Sequence, residues 1–351
     1  MNTTSQSKST SSIQEQTPQI NSIDAIATRI KNGDIKRIVV IAGAGISTSA
    51  GYPDFRSPKT GIYDKTAALK TLPYREAIFD VRYFKHTPEP FFAVLRGLMQ
   101  MNFKPTVTHA FLSLLHRMEV LEMVFTQNID GLERAAGVPD EKVVAAHGQF
   151  GSQRCMICKI SWPSDRFERV VKSGQVPRCD DAFCNGLIKP DTVMFGEPLS
   201  QNFATSTKLL DSADLILVMG TSLKVHPVAA LPSQVPKGVP RVLLNREKAG
   251  DLGSRREDIL LLGDCDEGVR SIADALGLRD ELENLWRAVG PQPGEFVKLE
   301  DALVRELDSY VNDQLREKEL ISQGHKGLLE KHIQEKLSRM RNPDSGAVLY
   351  P

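Results

Sequence analysis

The 351-residue chain has no apolar run approaching the ~20 residues that a membrane-spanning helix needs, which argues against a helical membrane protein. Its first residues lack the basic-then-apolar order of a secretion signal. It has no excess of either charge, because Lys+Arg and Asp+Glu both number 44. Such a balance gives no electrostatic case for direct nucleic-acid or membrane binding. No internal repeat is evident. Cysteine is scarce, with five in all, yet four of the five fall in two close pairs. Without a secretion signal, close pairs read as metal ligands before disulfides, and the expected compartment is a reducing one, cytosol or nucleus.

What is present is a soluble-type composition, 41% hydrophobic and 25% charged. Residues 1–22 are dominated by Ser, Thr, Gln and Asn and are expected to be a disordered tail. Residues 23–32 carry the spacing of a short amphipathic helix. Ile38–Ala42 is then a short apolar run ending in Gly-Ala-Gly, as a strand buried on both faces would be. Similar runs recur at Leu121–Phe125, Val143–Ala146, Leu215–Met219, Arg241–Leu244 and Ile259–Leu262. Helix-like segments such as His109–Met118 and Phe203–Leu210 lie between them. Alternation of this kind predicts an α/β fold, a Rossmann-like doubly wound parallel sheet. Small and polar residues follow each run, where an open parallel sheet places its ligand crevice.

Two insertions break the alternation. Residues 52–104 are rich in proline and aromatics without a strand pattern, and 151–190 hold the cysteine pairs. The expected organisation is a catalytic domain over 23–275. Its Rossmann-like core comprises 23–51, 105–150 and 191–270, interrupted by a helical cofactor-loop insertion at 52–104 and a zinc module at 151–190. A helical C-terminal extension with a disordered end follows at 276–351. Within it Phe296, Leu299, Leu303, Leu307, Tyr310 and Val311 have helical periodicity. That pattern reads as a helix packed on the domain, with an oligomer contact or an autoinhibitory arm as the alternatives.

The turn Gly43-Ala44-Gly45-Ile46-Ser47 would let backbone approach a pyrophosphate and offer N–H donors from a helix start. The dehydrogenase fingerprint is broken, however. Its third glycine falls at Thr48, and no acidic residue ends a second strand about 20 residues on. Taken alone, the turn is equally explained as a structural strand-to-helix connection. Cys155-x2-Cys158 and Cys179-x4-Cys184, twenty residues apart, suit a closed tetrahedral zinc that is structural, since no position is left for water. The competing reading is four unrelated thiols. Cys265 stands apart, either an ordinary buried thiol or part of a nucleotide pocket. Asn128 and Asp130 could recognise a carboxamide or cap a helix. His147 could be a general base or a structural histidine.

Together these segments resemble the sirtuins. The residues that carry the likeness are Gly43–Ser47, Pro53-Asp54-Phe55-Arg56-Ser57-Pro58, Thr126-Gln127-Asn128-Ile129-Asp130, His147-Gly148, the cysteine quartet, Lys189-Pro190-Asp191 with Val193 and Phe195-Gly196-Glu197, and Gly220-Thr221-Ser222. The likeness runs in order from about residue 25 to 270. Leu72–Phe79 and the later Leu-Gly-Ser-Arg and Gly-Asp-Cys segments point to class I, nearest its largely cytoplasmic fungal and animal branch.

The resemblance implies NAD-dependent lysine deacetylation, with NAD consumed as co-substrate and one structural Zn2+. Gly43, Ala44, Gly45, Ser47 and Thr48 would cradle the NAD phosphates, with Arg56 nearby. Asp54, Phe55 and Tyr63 would belong to the mobile cofactor loop. Asn128, Ile129 and Asp130 would hold the nicotinamide carboxamide, and Gln127 the adjoining ribose. Gly220, Thr221, Ser222, Asn245, Arg246, Glu247 and Cys265 would line the adenosine half. His147 would be the general base, acting with Asn128 and Asp130. Val193, Phe195, Gly196 and Glu197 would pair with an acetylated peptide as an added strand. Histone tails and tubulin-like proteins are the expected targets, in the cytoplasm with nuclear entry left open, and the oligomeric state stays undecided.

The products would be lysine, nicotinamide and O-acetyl-ADP-ribose. A non-catalytic NAD- or ADP-ribose-binding scaffold and a mono-ADP-ribosyltransferase are the alternatives. Tyr52 stands where the family more often has Ile, Gly131 where Thr or Asn is frequent, and the second cysteine pair has a four-residue gap where many relatives have two.

Overall fold

The computed structural model describes residues 22–67, 72–291, 300–322 and 326–341. The expected disordered tail before residue 22, the disordered end beyond 341, and Phe296 and Leu299 lie outside the described residues.

Six parallel strands form the main sheet: β1 (Ile38–Ala42), β2 (Leu121–Thr126), β3 (Val143–Ala145), β6 (Leu215–Met219), β7 (Arg241–Asn245) and β8 (Asp258–Leu262). Their order is β3-β2-β1-β6-β7-β8. Each corresponds to one of the six apolar runs, to within one residue at either end. β1 is buried along its whole length, and its alternate side chains feed two different cores. Ile38, Val40 and Ala42 join a core capped by the helices Ile23–Lys31, Val107–Arg117, Cys265–Leu276 and Arg279–Val289. Val39 and Ile41 join the opposite core, with Phe203, Leu210 and Leu231. Period-two alternation with both faces apolar is what a doubly wound sheet requires.

β1 is hydrogen-bonded to β2 on one side and to β6 on the other, so the winding direction reverses there. The crevice at such a switch point is the expected ligand position. The glycine turn continues not into an α-helix but into a 3-10 helix, Ala44–Ala50. Its glycines meet the partner turn after β6: a Cβ on Gly45 would lie 2.6 Å from the Gly220 Cα. The two turns can therefore approach only without side chains.

A second core gathers the aromatics of 52–104 with the cysteine segment and Leu303 and Leu307 of the helix Glu300–Ser322. That helix packs along Glu89–Met99. Arg96 pairs with Glu306 at 2.7 Å, and Gln100 donates to the same carboxylate at 2.6 Å. Leu303, Leu307, Tyr310 and Val311 of the C-terminal periodicity thus belong to a helix packed on the body of the protein. The cysteine segment is built on the antiparallel pair β4 (Gly148–Cys155) and β5 (Ile188–Thr192), with the helix Ser164–Lys172 between them in sequence.

Candidate active site

A cavity of about 720 Å³ opens at the carboxyl ends of the strands. Gly43, Ala44, Gly45 and Thr48 after β1 line it. So do Gln127, Asn128 and Ile129 after β2, His147 after β3, Gly220, Thr221 and Ser222 after β6, Asn245, Arg246 and Glu247 after β7, and Cys265 after β8. Six separate loops thus share one space. Asp54, Phe55, Arg56 and Tyr63 close it from the aromatic insertion, and Val193, Phe195, Gly196 and Glu197 from the segment after β5.

Two of the residues expected around NAD are not on this lining. Ser47 is fully buried, and its hydroxyl donates to Asp130 Oδ2 at 2.8 Å and accepts from the Asn128 amide at 3.3 Å. Asp130 lies behind Asn128, where its other oxygen accepts the Leu132 N–H at 3.0 Å, and it borders a smaller cavity with Tyr52 and Phe150. Both readings of the Asn128–Asp130 pair therefore have a physical counterpart: Asn128 faces the cavity, and Asp130 bonds the start of the helix Leu132–Ala135. Gly131 between them has φ +73°, a conformation glycine adopts without strain and a β-branched Thr would not.

His147 is held through its ring. Its Nδ1 is 2.9 Å from the Gln127 carbonyl oxygen, which can only accept, so Nδ1 carries the proton and Nε2 keeps its lone pair. Burial, and to a smaller degree the positive charge of Arg56, push the imidazole below its ordinary value, while the Gln127 bond opposes this. The result is a neutral ring with a free basic nitrogen in a half-buried position. Gln127 is fixed in turn, donating through Nε2 to the Thr221 hydroxyl at 2.7 Å. One chain of contacts therefore links the loops after β2, β3 and β6.

The aromatic wall is a cluster. Phe55 packs on Tyr63 and Phe79, with ring centroids 5.9 and 5.7 Å apart, and Phe79 packs on Phe91. Asp54 anchors the loop, accepting the N–H groups of Arg56 at 3.0 Å and Ser57 at 2.7 Å. Arg56 lies over the Tyr63 ring. Phe79 and Phe91 also line the cavity, and nothing in the sequence marks them, because apolar residues in a helical insertion read as core until its orientation is known. Lys224, His226 and Asp264 also border the cavity without a motif that would mark them.

The segment expected to pair with a peptide already pairs within the chain. Phe195 N–H donates to the Phe79 carbonyl at 2.8 Å, and the Phe195 carbonyl accepts the Val81 N–H at 3.0 Å. Val193 N–H reaches the His147 carbonyl at 2.7 Å. Glu197 is braced by Lys189 at 3.1 Å and by the Met194 N–H at 2.9 Å. Cys265 lines the cavity as a buried thiol that donates to the Leu244 carbonyl at 3.3 Å, and burial pushes it up to about 12. It is both an ordinary buried thiol and a wall of the pocket.

The four remaining cysteines converge. Cys155 and Cys184 Sγ are 3.5 Å apart, Cys158 and Cys179 Sγ 3.6 Å, and all four sulfurs lie within 4.8 Å of one another. No disulfide joins them. Four thiolates at about 2.3 Å from one zinc would have sulfurs about 3.8 Å apart, so the cluster fits tetrahedral Zn2+. The four-residue gap in the second pair does not prevent closure.

Residues 43–227 match the family model described as "Sir2 family". The chain is 45% identical to the NAD-dependent protein deacetylase hst2-2 of Emericella nidulans, over 91% of this chain and 92% of that protein. It is 48% identical to the NAD-dependent protein deacetylase hst2 of Schizosaccharomyces pombe, over 75% and 79% respectively. It is 40% identical to the NAD-dependent protein deacetylase sirtuin-2 of Danio rerio, over 83% and 78%. The chain belongs to the Sir2 family. The Sir2 match begins at Gly43, the first residue of the turn beneath the cavity, and spans the cysteine quartet. Among the described residues, no helix is long and apolar enough to cross a membrane.

Proposed function

We propose that the protein is an NAD-dependent protein lysine deacetylase and that the cavity at the strand ends is where the reaction takes place. The observation that carries this reading is the single space shared by six loops, lined both by Asn128 and by an imidazole, His147, held through its Nδ1 by the Gln127 carbonyl. The deacetylase names of relatives that cover most of the chain support it. NAD supplies a glycosidic bond whose cleavage releases nicotinamide and leaves ADP-ribose to receive the acetyl group. The substrates are acetylated proteins.

The roles of individual residues follow from their surroundings. The Ala44 N–H and the Thr48 hydroxyl hold the phosphates, beside Arg56, while the Gly45 N–H, spent on the Gly220 carbonyl at 2.8 Å, shapes the turn that lets them approach. Asn128, backed by Asp130 through Ser47, orients the carboxamide, with Ile129 against the ring. Gln127 contacts the adjoining ribose. Gly220, Thr221, Ser222, Asn245, Arg246, Glu247 and Cys265 receive the adenosine half. Nε2 of His147 takes the proton of a ribose hydroxyl, so that this oxygen can accept the acetyl carbon. Phe55, on its aromatic base, shields the reacting carbon from water and so limits plain hydrolysis of NAD.

Val193, Gly196 and Glu197 guide the peptide, while Phe195 acts mainly by tying this segment to residues 79–81. Cys155, Cys158, Cys179 and Cys184 hold one structural zinc, remote from the proton transfers. Histone tails or tubulin-like proteins in the cytoplasm are the proposed targets.

Incubation with NAD and an acetyl-lysine peptide library, read by mass spectrometry for O-acetyl-ADP-ribose, tests the reading. Free acetate with intact NAD, or NAD binding without nicotinamide release, would refute it.

A further inference from the structure

Behind the polar floor of the cavity lies a second, enclosed polar layer. Glu133, in the first turn of the helix Leu132–Ala135, is fully buried, and neither carboxyl oxygen has a hydrogen-bond partner. His109, on the helix Val107–Arg117, is equally buried, and its Nε2 is without a partner. The ligating atoms of His109, Asp130 and Glu133 all lie within 4.8 Å of one another. The Tyr52 hydroxyl is a third buried group without a partner, and burial and the charge of Asp130 both oppose its ionisation. Leaving a buried polar group unmatched costs about 1–3 kcal/mol, so three around one carboxylate call for an explanation.

A His-Asp-Glu trio suggests a metal, but the histidine argues otherwise. The Thr106 N–H, which can only donate, reaches His109 Nδ1 at 3.2 Å; the Thr106 hydroxyl lies 2.8 Å from the same nitrogen and 2.9 Å from the Ile46 carbonyl, and its single proton serves one of them at a time. Nδ1 is therefore an acceptor, and the ring proton sits on Nε2. A metal ligand would need that Nε2 lone pair and would donate Nδ1–H to its own partner, the reverse of this arrangement.

The two carboxyl groups are also unequal. Asp130 receives the Ser47 hydroxyl and the Leu132 N–H at 2.8 and 3.0 Å, whereas no donor lies at full hydrogen-bond distance from Glu133, the Thr126 hydroxyl acting on it only weakly. Two carboxylates this close do not both ionise readily, and the proton resides on the member without donors. Burial first, and the Asp130 charge second, push Glu133 up to about 7. The Thr126 hydroxyl, the Glu133 backbone and, least of the three, Arg134 next to it work in the opposite sense. Burial keeps His109 neutral by lowering it to about 4.

We propose that Glu133 and His109 are positioning residues for the nicotinamide half of the reaction, a buried polar layer packed behind the Asp130 carboxylate beneath Asn128. The inference rests on the reading of Asp130 as part of the nicotinamide site. When Glu133 loses its proton, a second negative charge adjoins Asp130 and the layer loosens, so nicotinamide is held less well above about pH 7.

Exchange of labelled nicotinamide into NAD, measured from pH 6 to 8.5 on the full chain, tests this. In the wild type, the KM for nicotinamide should rise about three- to tenfold across the neutral range, while the KM for the acetyl-peptide stays level. Glu133→Gln, neutral at every pH and of the same shape, should lose that dependence. Glu133→Ala should raise the nicotinamide KM at least tenfold, with E133Q restoring most of it. His109→Asn keeps an acceptor for Thr106 and removes the Nε2–H, and should raise the nicotinamide KM without changing the peptide KM.

The inference is overturned if E133Q keeps the wild-type pH dependence, or if E133Q and E133A behave alike. The two levels of failure separate. Should Asp130→Ala leave exchange intact, the reading of Asp130 fails with it. Should D130A abolish exchange while E133Q keeps the wild-type profile, only the role of the buried layer falls.

Discussion

His147 Nδ1 lies 2.9 Å from the backbone carbonyl of Gln127, and that one contact fixes which ring nitrogen is basic. A base must be neutral to act, and burial lowers this imidazole from its usual 6.5. Protonation, and the loss of activity it brings, is therefore confined to pH below about 6.5. At saturating NAD, a profile of kcat/KM for the acetyl-peptide against pH should be flat on the alkaline side of that value and fall about tenfold per unit well below it. An acid limb centred above 7 would contradict the assignment.

The contact between the turns after β1 and β6 predicts a binding defect. A Cβ on Gly45 would sit 2.6 Å from the Gly220 Cα and 2.8 Å from its carbonyl oxygen, both backbone atoms that cannot rotate away. In Gly45→Ala the turns must separate and the phosphate-facing N–H groups move with them. The KM for NAD should rise by at least tenfold, and melting temperature should fall. An unchanged NAD affinity by calorimetry would show that the turn does not form the phosphate site.

The sulfur cluster predicts metal-dependent folding. Native mass spectrometry should find one zinc per chain, and Cys179→Ser should lower zinc content and solubility together. Because thiolates are the ligands, zinc should leave as the pH falls and protons compete for the sulfurs. A stable, metal-free, active C179S protein would exclude the structural zinc.

The helix Glu300–Ser322 should act as part of the core. Leu303 is fully enclosed, and a Cβ added to Gly97 would come within 2.9 Å of its Cα. Leu303→Ala should cost about 2–5 kcal/mol in chemical denaturation. Loss of stability without increased activity is expected. A several-fold activation at unchanged stability would favour the autoinhibitory arm.

The order of strands and helices was legible because strands buried on both faces leave continuous apolar runs, and because small residues must follow them where a ligand lies. Of the cavity, the polar loop residues were legible for the same reason. Ser47 and Asp130 show where that reasoning stops. A hydroxyl and a carboxylate in a polar motif look as though they face a ligand, but here they face each other. Spacing along the chain carries no sign of which way such groups turn. His109 lay at the start of a helix-like segment and Glu133 in no pattern of its own, with nothing to separate either from a surface position. Their importance depends on helices Val107–Arg117 and Leu132–Ala135 meeting behind the loop after β2, a tertiary relation. In sequence the glycine turn reads as room for a pyrophosphate, yet its nearest constraint is the neighbouring turn at Gly220.

The most direct test of the whole account is the product balance of the wild-type protein and of His147→Ala, each incubated with NAD and one acetyl-lysine peptide. The wild type should yield nicotinamide, deacetylated peptide and O-acetyl-ADP-ribose in equal amounts, and H147A should form the deacetylated peptide about 10²–10⁴-fold more slowly while still binding NAD. Unequal products from the wild type, or an H147A enzyme that deacetylates at the wild-type rate, would contradict it.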